Sequence, residues 1–154
     1  MMLLTAGTRG DVEPFAALAR RALSRGHQVR LALPDDAVAP DGVDTVRLGL
    51  DAHRVLFPVR RTPRVLAHHL RTEVRPAMRR MLAAAVRESV DFGPGVVVHH
   101  PLILSAPMVA DALGVPRVLE KRGDNSLRLD TAQIPPMLNC QGNPVLKTFI
   151  NDLQ

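Results

Sequence analysis

Aromatic residues are nearly absent: the 154 residues include four Phe and neither Trp nor Tyr. A core must then be aliphatic. The exposed rings on which single-stranded nucleic acid usually stacks are missing too, so nucleic acid is not an expected partner. Cysteine occurs once, at Cys140, which excludes an internal disulfide framework and any zinc site built on several cysteines. No His or Asp pattern surrounds it, so it is read as non-catalytic. No apolar run approaches the roughly 20 residues of a membrane span, and residues 1–6 are too short, and lack a basic leader, for a secretory signal. The expectation is a cytoplasmic protein.

Lysine is scarce as well, two against 18 Arg, within a net charge of +5. That imbalance points to G+C-rich coding more than to a binding need. A basic balance permits contact with anionic lipid, nucleic acid or phosphorylated ligands without choosing among them. The length allows one domain and leaves no room for a two-domain enzyme.

What is present is an alternation of buried-type runs and helical patterns. Residues 1–5 form a first strand, followed by the turn Gly7, Thr8, Arg9, Gly10. Phe15, Leu18, Ala19, Ala22 and Leu23 then recur on one helical face. Gly26 fits the position just past that helix, residues 28–33 read as the next strand, and Pro34, Asp35 and Asp36 stop it. Residues 43–48 are a third strand, and an irregular stretch follows. Leu66, Leu70, Val74, Ala77, Met81 and Ala85 then predict helical structure over 62–90, with Pro76 either kinking it or opening a second helix. Strand 96–98, helix 102–113 capped by Gly114, and strand 115–119 complete the pattern. This order predicts an α/β, Rossmann-like fold: an open, mostly parallel sheet with helices on both faces.

Beyond residue 119 the composition changes. Residues 1–119 hold 17 of the 18 Ala, whereas 120–154 hold both Lys, all four Asn and three of the four Gln. The domain is therefore placed at 1–119. Residues 120–154 are an atypical tail, either a polar extension or a segment of different coding origin.

In open α/β sheets ligands bind beyond the carboxyl ends of the strands. The turn Gly7, Thr8, Arg9, Gly10, Asp11 opens into that crevice; its glycines allow close approach of a ligand, and the N–H groups of the helix start favour an anion or oxyanion. The spacing is not that of a dinucleotide fingerprint. Asp11 has two readings, a helix N-cap or a general base taking the proton of a substrate hydroxyl, and its position alone leaves both open. His99 and His100 end a strand on the ligand side. Adjacent strand positions face opposite ways, so the two cannot form a metal site by themselves, and no metal is expected. His68 and His69 read as surface groups. Arg64, Arg71, Arg75 and Arg79 share one quadrant of a helical wheel, a solvated face or a surface for anionic lipid or phosphates.

The string Gly7, Thr8, Arg9, Gly10, Asp11, Val12, Glu13, Pro14, Phe15, then Leu18, Ala19 and the run Arg25, Gly26, His27, Gln28, Val29, resembles the opening of bacterial nucleotide-sugar glycosyltransferases. The branch is the one acting on sterols, lipids, macrolides and glycopeptide aglycones. Val97, Val98, His99, His100, Pro101 and residues 110–116 are similar to its fourth strand, next helix and fifth strand. The resemblance spans residues 2–119.

It implies the N-terminal, acceptor-binding half of a GT-B enzyme that moves a hexose from a nucleotide sugar to a hydroxyl. The nucleotide sugar is a co-substrate, no cofactor is implied, and metal is usually not used. Asp11 corresponds to the catalytic base, where many relatives carry His supported by a separate Asp. Gly7, Thr8, Arg9 and Gly10 would line the junction of acceptor and donor, and His100 would touch the acceptor. Nothing in 120–154 matches the donor half. The resemblance thus implies a truncated or split enzyme, inactive alone, with a hydroxyl acceptor, a separate donor-domain chain as partner, and peripheral contact with anionic membrane if the acceptor is lipid-borne. The alternative is a non-catalytic Rossmann-like binding module using its Arg face; a degenerate remnant is the third reading.

Overall fold

A computed structural model describes residues 1–56, 62–123 and 126–130. Six strands form one sheet: β1 (Met2–Leu4), β2 (Arg30–Leu33), β3 (Asp44–Arg47), β4 (Val97–His99), β5 (Arg117–Gly123) and β6 (Ser126–Asp130). Their order is β3-β2-β1-β4-β5-β6. The first five are parallel and β6 is antiparallel to β5. The helices are α1 (Arg9–Ser24), α2 (Ala52–Leu56), α3 (Pro63–His69), α4 (Arg75–Phe92) and α5 (Ala106–Leu113), with a π-helical turn, Leu70–Val74, between α3 and α4. The open parallel sheet expected over residues 1–119 is present.

Period-two alternation divides the apolar strand residues between two cores. Met1, Leu3, Leu31, Leu33, Val98 and Val118 pack on one face with Phe15, Ala19 and Ala22 of α1. Met2, Leu4, Ala32 and Val97 pack on the other with Met81 and Ala85 of α4 and Ala106 and Ala110 of α5. Parallel strands covered on both faces read as continuous apolar runs, which is why β1 and β4 stood out in the sequence. Burying each Leu or Phe stabilises the fold by about 1.5–3 kcal/mol, and β1 supplies both cores from three residues.

Four local expectations are corrected. First, residues 51–56 are not irregular. The Asp36 carboxylate accepts the N–H groups of Ala52 and His53, both at 2.9 Å, and so starts α2. Second, the 62–90 stretch is helical and Pro76 opens a second helix, one of the two outcomes expected of it, but its apolar positions do not share one wheel. The Arg75 N–H reaches back five residues to the Leu70 carbonyl, and Pro76 sits in the first turn of α4, where its missing N–H is harmless. The extra residue shifts the phase, so Leu66 and Leu70 are 43% and 46% exposed while His69 is buried, with its Nε2 3.5 Å from the Val55 carbonyl. His69 is therefore not a surface group. Third, helix 102–113 begins only at Ala106. Turn hydrogen bonds from Ile103 N to His100 O and from Ala106 N to Ile103 O occupy the preceding residues, and Leu102 and Leu104 are exposed. Fourth, β5 runs past residue 119 to Gly123 and pairs with β6, a strand that sequence patterning did not predict. Cys140 lies outside the described residues.

Candidate active site

The carboxyl ends of β1 and β4, neighbours at the centre of the sheet, carry the candidate residues. From β1 the chain passes through Thr5, whose N–H donates to the Ala32 carbonyl at 3.1 Å and whose Oγ1–H donates to the Asp11 carbonyl at 3.0 Å. The loop then turns at Gly7, with φ at +119°. A Cβ there would collide with Oδ2 of Asp11 and sit 2.9 Å from its Cγ, so only glycine lets the carboxylate fold back over the loop.

The N-cap of α1 is Thr8, not Asp11, which is the third helical residue. Oδ2 of Asp11 accepts the Thr8 backbone N–H at 2.7 Å and the Thr8 Oγ1–H at 2.9 Å. The Thr-x-x-Asp spacing from Thr8 to Asp11 is a capping-box signature, so this assignment was available in the sequence. Because the helix starts at Arg9, Pro14 lies in its second turn, where it leaves the Gly10 carbonyl without its usual N–H donor four residues on.

On the neighbouring strand, the His100 N–H donates to the Leu4 carbonyl at 2.8 Å, latching the end of β4 to β1. Nε2 of His100 lies 3.8 Å from Oδ1 of Asp11, and the two side chains are only 14% and 11% exposed. The ring also receives the Leu102 N–H at Nδ1, at 3.2 Å. Its neighbour His99 turns the other way. That ring is buried, with Nδ1 3.2 Å from the His100 carbonyl, and desolvation holds its pKa below the ordinary histidine value.

The structure thus brings Gly7, Thr8, Asp11 and His100 together. Arg9 and Gly10 are exposed on the first turn of α1, and Arg9 pairs with Glu13 at 3.1 Å on the outer face, its side chain 90% exposed. A largely buried carboxylate with Oδ2 held by Thr8 and Oδ1 beside an imidazole has the chemistry of a proton acceptor. Among the described residues no three His, Cys, Asp or Glu cluster as metal ligands, and no helix is long and apolar enough to cross a membrane.

Comparisons with known proteins bear on the fold that carries these residues. The family described as Glycosyltransferase family 28 N-terminal domain matches residues 1–119. A second family, described as Bacterial Type VI secretion, VC_A0110, EvfL, ImpJ, VasE, matches residues 108–154, less than half of the chain. Vancomycin aglycone glucosyltransferase of Amycolatopsis orientalis is 31% identical over 126 residues, 80% of this chain and 28% of that protein. Sterol 3-beta-glucosyltransferase UGT80B1 of Arabidopsis thaliana is 29% identical over 127 residues, 74% of this chain and 21% of its own length. The chain thus spans less than a third of these relatives. Among solved structures, the Streptomyces sp. SF2575 glycosyltransferase SsfS6, complexed with thymidine diphosphate, aligns over 77% of this chain and 37% of its own, with 22% identity and a TM-score of 0.55. The calicheamicin glycosyltransferase CalG4 aligns over 99% and 41%, with 18% identity and a TM-score of 0.59. These structures share the fold of the sheet that carries Asp11 and His100, and the chain belongs to the glycosyltransferase family 28 N-terminal domain family.

Proposed function

We propose that the chain is the acceptor-binding half of a glycosyltransferase that moves a hexose from a nucleotide sugar to a hydroxyl of a lipid, sterol or natural-product aglycone, with Asp11 as general base. One observation carries this reading: the Asp11 carboxylate is divided, Oδ2 held by Thr8 and Oδ1 turned toward His100. In the step, Oδ1 takes the acceptor hydroxyl proton and the acceptor oxygen bonds to the anomeric carbon. The bond from that carbon to the nucleotide diphosphate breaks, and the diphosphate leaves with the electron pair. Capping and catalysis use different oxygens, so one side chain does both. Gly7, Thr8, Arg9 and Gly10 are read as lining the junction of acceptor and donor.

The relatives' printed names, for a glycopeptide aglycone and a sterol, support the hydroxyl acceptor. A separate donor-domain partner is part of the proposal. The test is turnover of UDP-glucose or TDP-glucose onto vancomycin aglycone or cholesterol. The chain alone gives no product, and with a separately expressed donor half it gives product that Asp11→Asn lowers by about 10²–10⁴-fold. Turnover by the chain alone overturns the split arrangement; undiminished turnover by Asp11→Asn overturns the base.

A second reading rests on Arg64, Arg71, Arg75 and Arg79, all exposed despite the phase shift at the π-turn, while nearby Glu73 pairs with Arg54 at 3.1 Å. It is peripheral contact with anionic membrane, compatible with the first reading when the acceptor is lipid-borne. Residues 120–154 are read as a segment of different coding origin, supported by their composition and by the second family match. Re-reading the nucleotides beyond residue 119 in all frames tests that.

A further inference from the structure

Two rows of side chains run side by side along the passage from α3 into α4. Leu66, Leu70, Val74 and Met78 recur every four residues, and Arg71, Arg75 and Arg79 form the next row, one residue on. In an unbroken α-helix of 3.6 residues per turn such rows drift by about 40° at each step and wind around the helix. The π-turn Leu70–Val74, closed by the bond from the Arg75 N–H to the Leu70 carbonyl, turns less per residue. It takes back part of the drift and keeps both rows in line. The apolar row leaves the core by degrees: Met78 and Val74 pack partly against it, whereas Leu70 and Leu66 stand exposed. The basic row beside it is exposed throughout. Residues 62–80 hold five Arg and one acidic residue, Glu73, which pairs with Arg54 at 3.1 Å.

We propose that this passage is a shallow membrane-insertion edge: Leu66 and Leu70 enter the acyl boundary of an anionic bilayer while Arg71, Arg75 and Arg79 lie alongside at the level of the lipid phosphates. It rests on the reading of the Arg face as a surface for anionic membrane, and adds to that reading an apolar foothold and a direction of approach. Charge complementarity selects the occupant. An apolar partner would desolvate a row of guanidinium groups without any counter-charge, and a soluble anion would leave the two leucines in water. The surface of an anionic bilayer meets both rows at once, because the long arginine stems keep the charges at the phosphates while the leucines reach deeper. Two leucines are too small an anchor to hold the chain by themselves, so binding needs both rows, as a single lipid chain needs a second signal.

The test uses the full chain, which has neither Trp nor Tyr, so one introduced indole reports its own surroundings. Leu66→Trp and Leu70→Trp are each mixed at low salt with vesicles of phosphatidylglycerol and acyl-brominated phosphatidylcholine. Both are expected to shift their emission to the blue and to be quenched by the bromines. Val90, exposed at the far end of α4, serves as the control: Val90→Trp binds the same vesicles with neither change. Leu66→Ser combined with Leu70→Ser, its fold checked by circular dichroism, lowers the partition coefficient about tenfold. Vesicle binding in which the indoles at 66 and 70 stay unquenched overturns insertion and leaves the electrostatic reading standing. Equal binding to vesicles of phosphatidylcholine alone overturns both. A blue shift without vesicles that grows with protein concentration shows a second copy covering the leucines, and it too overturns insertion.

Discussion

At the scale of single residues, Gly7 and His99 make the sharpest predictions. Gly7→Ala places a side chain at φ +119° and against Oδ2 of Asp11. The expected outcome is a loss of about 1–3 kcal/mol in urea denaturation. His99 bears on pH. Desolvation lowers its pKa in the fold, as do the nearby charges of Arg117 and His100, while its contact with the His100 carbonyl acts the other way. The unfolded chain therefore binds a proton near the ordinary value of about 6.5 while the folded chain does not, and stability falls as pH drops below that value. Thermal melts between pH 7.5 and 5.5 should show this decline, and His99→Gln should flatten it. Asp11 was legible because a carboxylate between a first strand and a first helix is conspicuous. The bonds from Thr8 were legible too, through the Thr-x-x-Asp spacing. The opposite fates of His99 and His100 were half legible: alternation says that they diverge, and only packing says which one is buried.

Among the elements, the passage from α3 into α4 departs most from what periodicity foretold. A wheel of 3.6 residues assumes an unbroken ladder, and the π-turn Leu70–Val74 breaks it ahead of Pro76. The sequence signals the proline but not on which side the ladder will loosen. His69 consequently faces inward and Leu66 and Leu70 outward. The α2 helix was hidden for a different reason: its start depends on Asp36, distant in sequence, whose carboxylate meets Ala52 and His53 only once β2 and β3 have paired. The basic face yields an element-scale prediction. Sedimentation with phosphatidylglycerol vesicles should carry the chain down at low salt, and phosphatidylcholine vesicles should not. Reversal of charge at Arg71 and Arg75 should remove most of that binding, as should 0.5 M salt, which shortens the screening length to about 4 Å. Equal binding to both vesicle types would sink the electrostatic reading.

For the whole molecule, the parallel sheet was legible because strands buried on both faces are continuous apolar runs; the antiparallel β6 was not, since residues 120–130 carry no such run. Deleting residues 124–154 removes β6 and bares the hydrogen-bonding edge of β5. Exposed edges recruit other chains, so sedimentation velocity should show concentration-dependent self-association of the shortened protein and less of the intact one. The proposed base and its histidine neighbour also span the two strands that meet at the middle of the sheet: Asp11 follows β1, and His100 follows β4, far along the chain. Chemistry at this spot therefore doubles as a gauge of that seam. On the proposed role of Asp11, loosening that parts the central strands stops proton removal while the flanking helices are still intact, so turnover together with a donor half should be lost earlier on heating than helical signal.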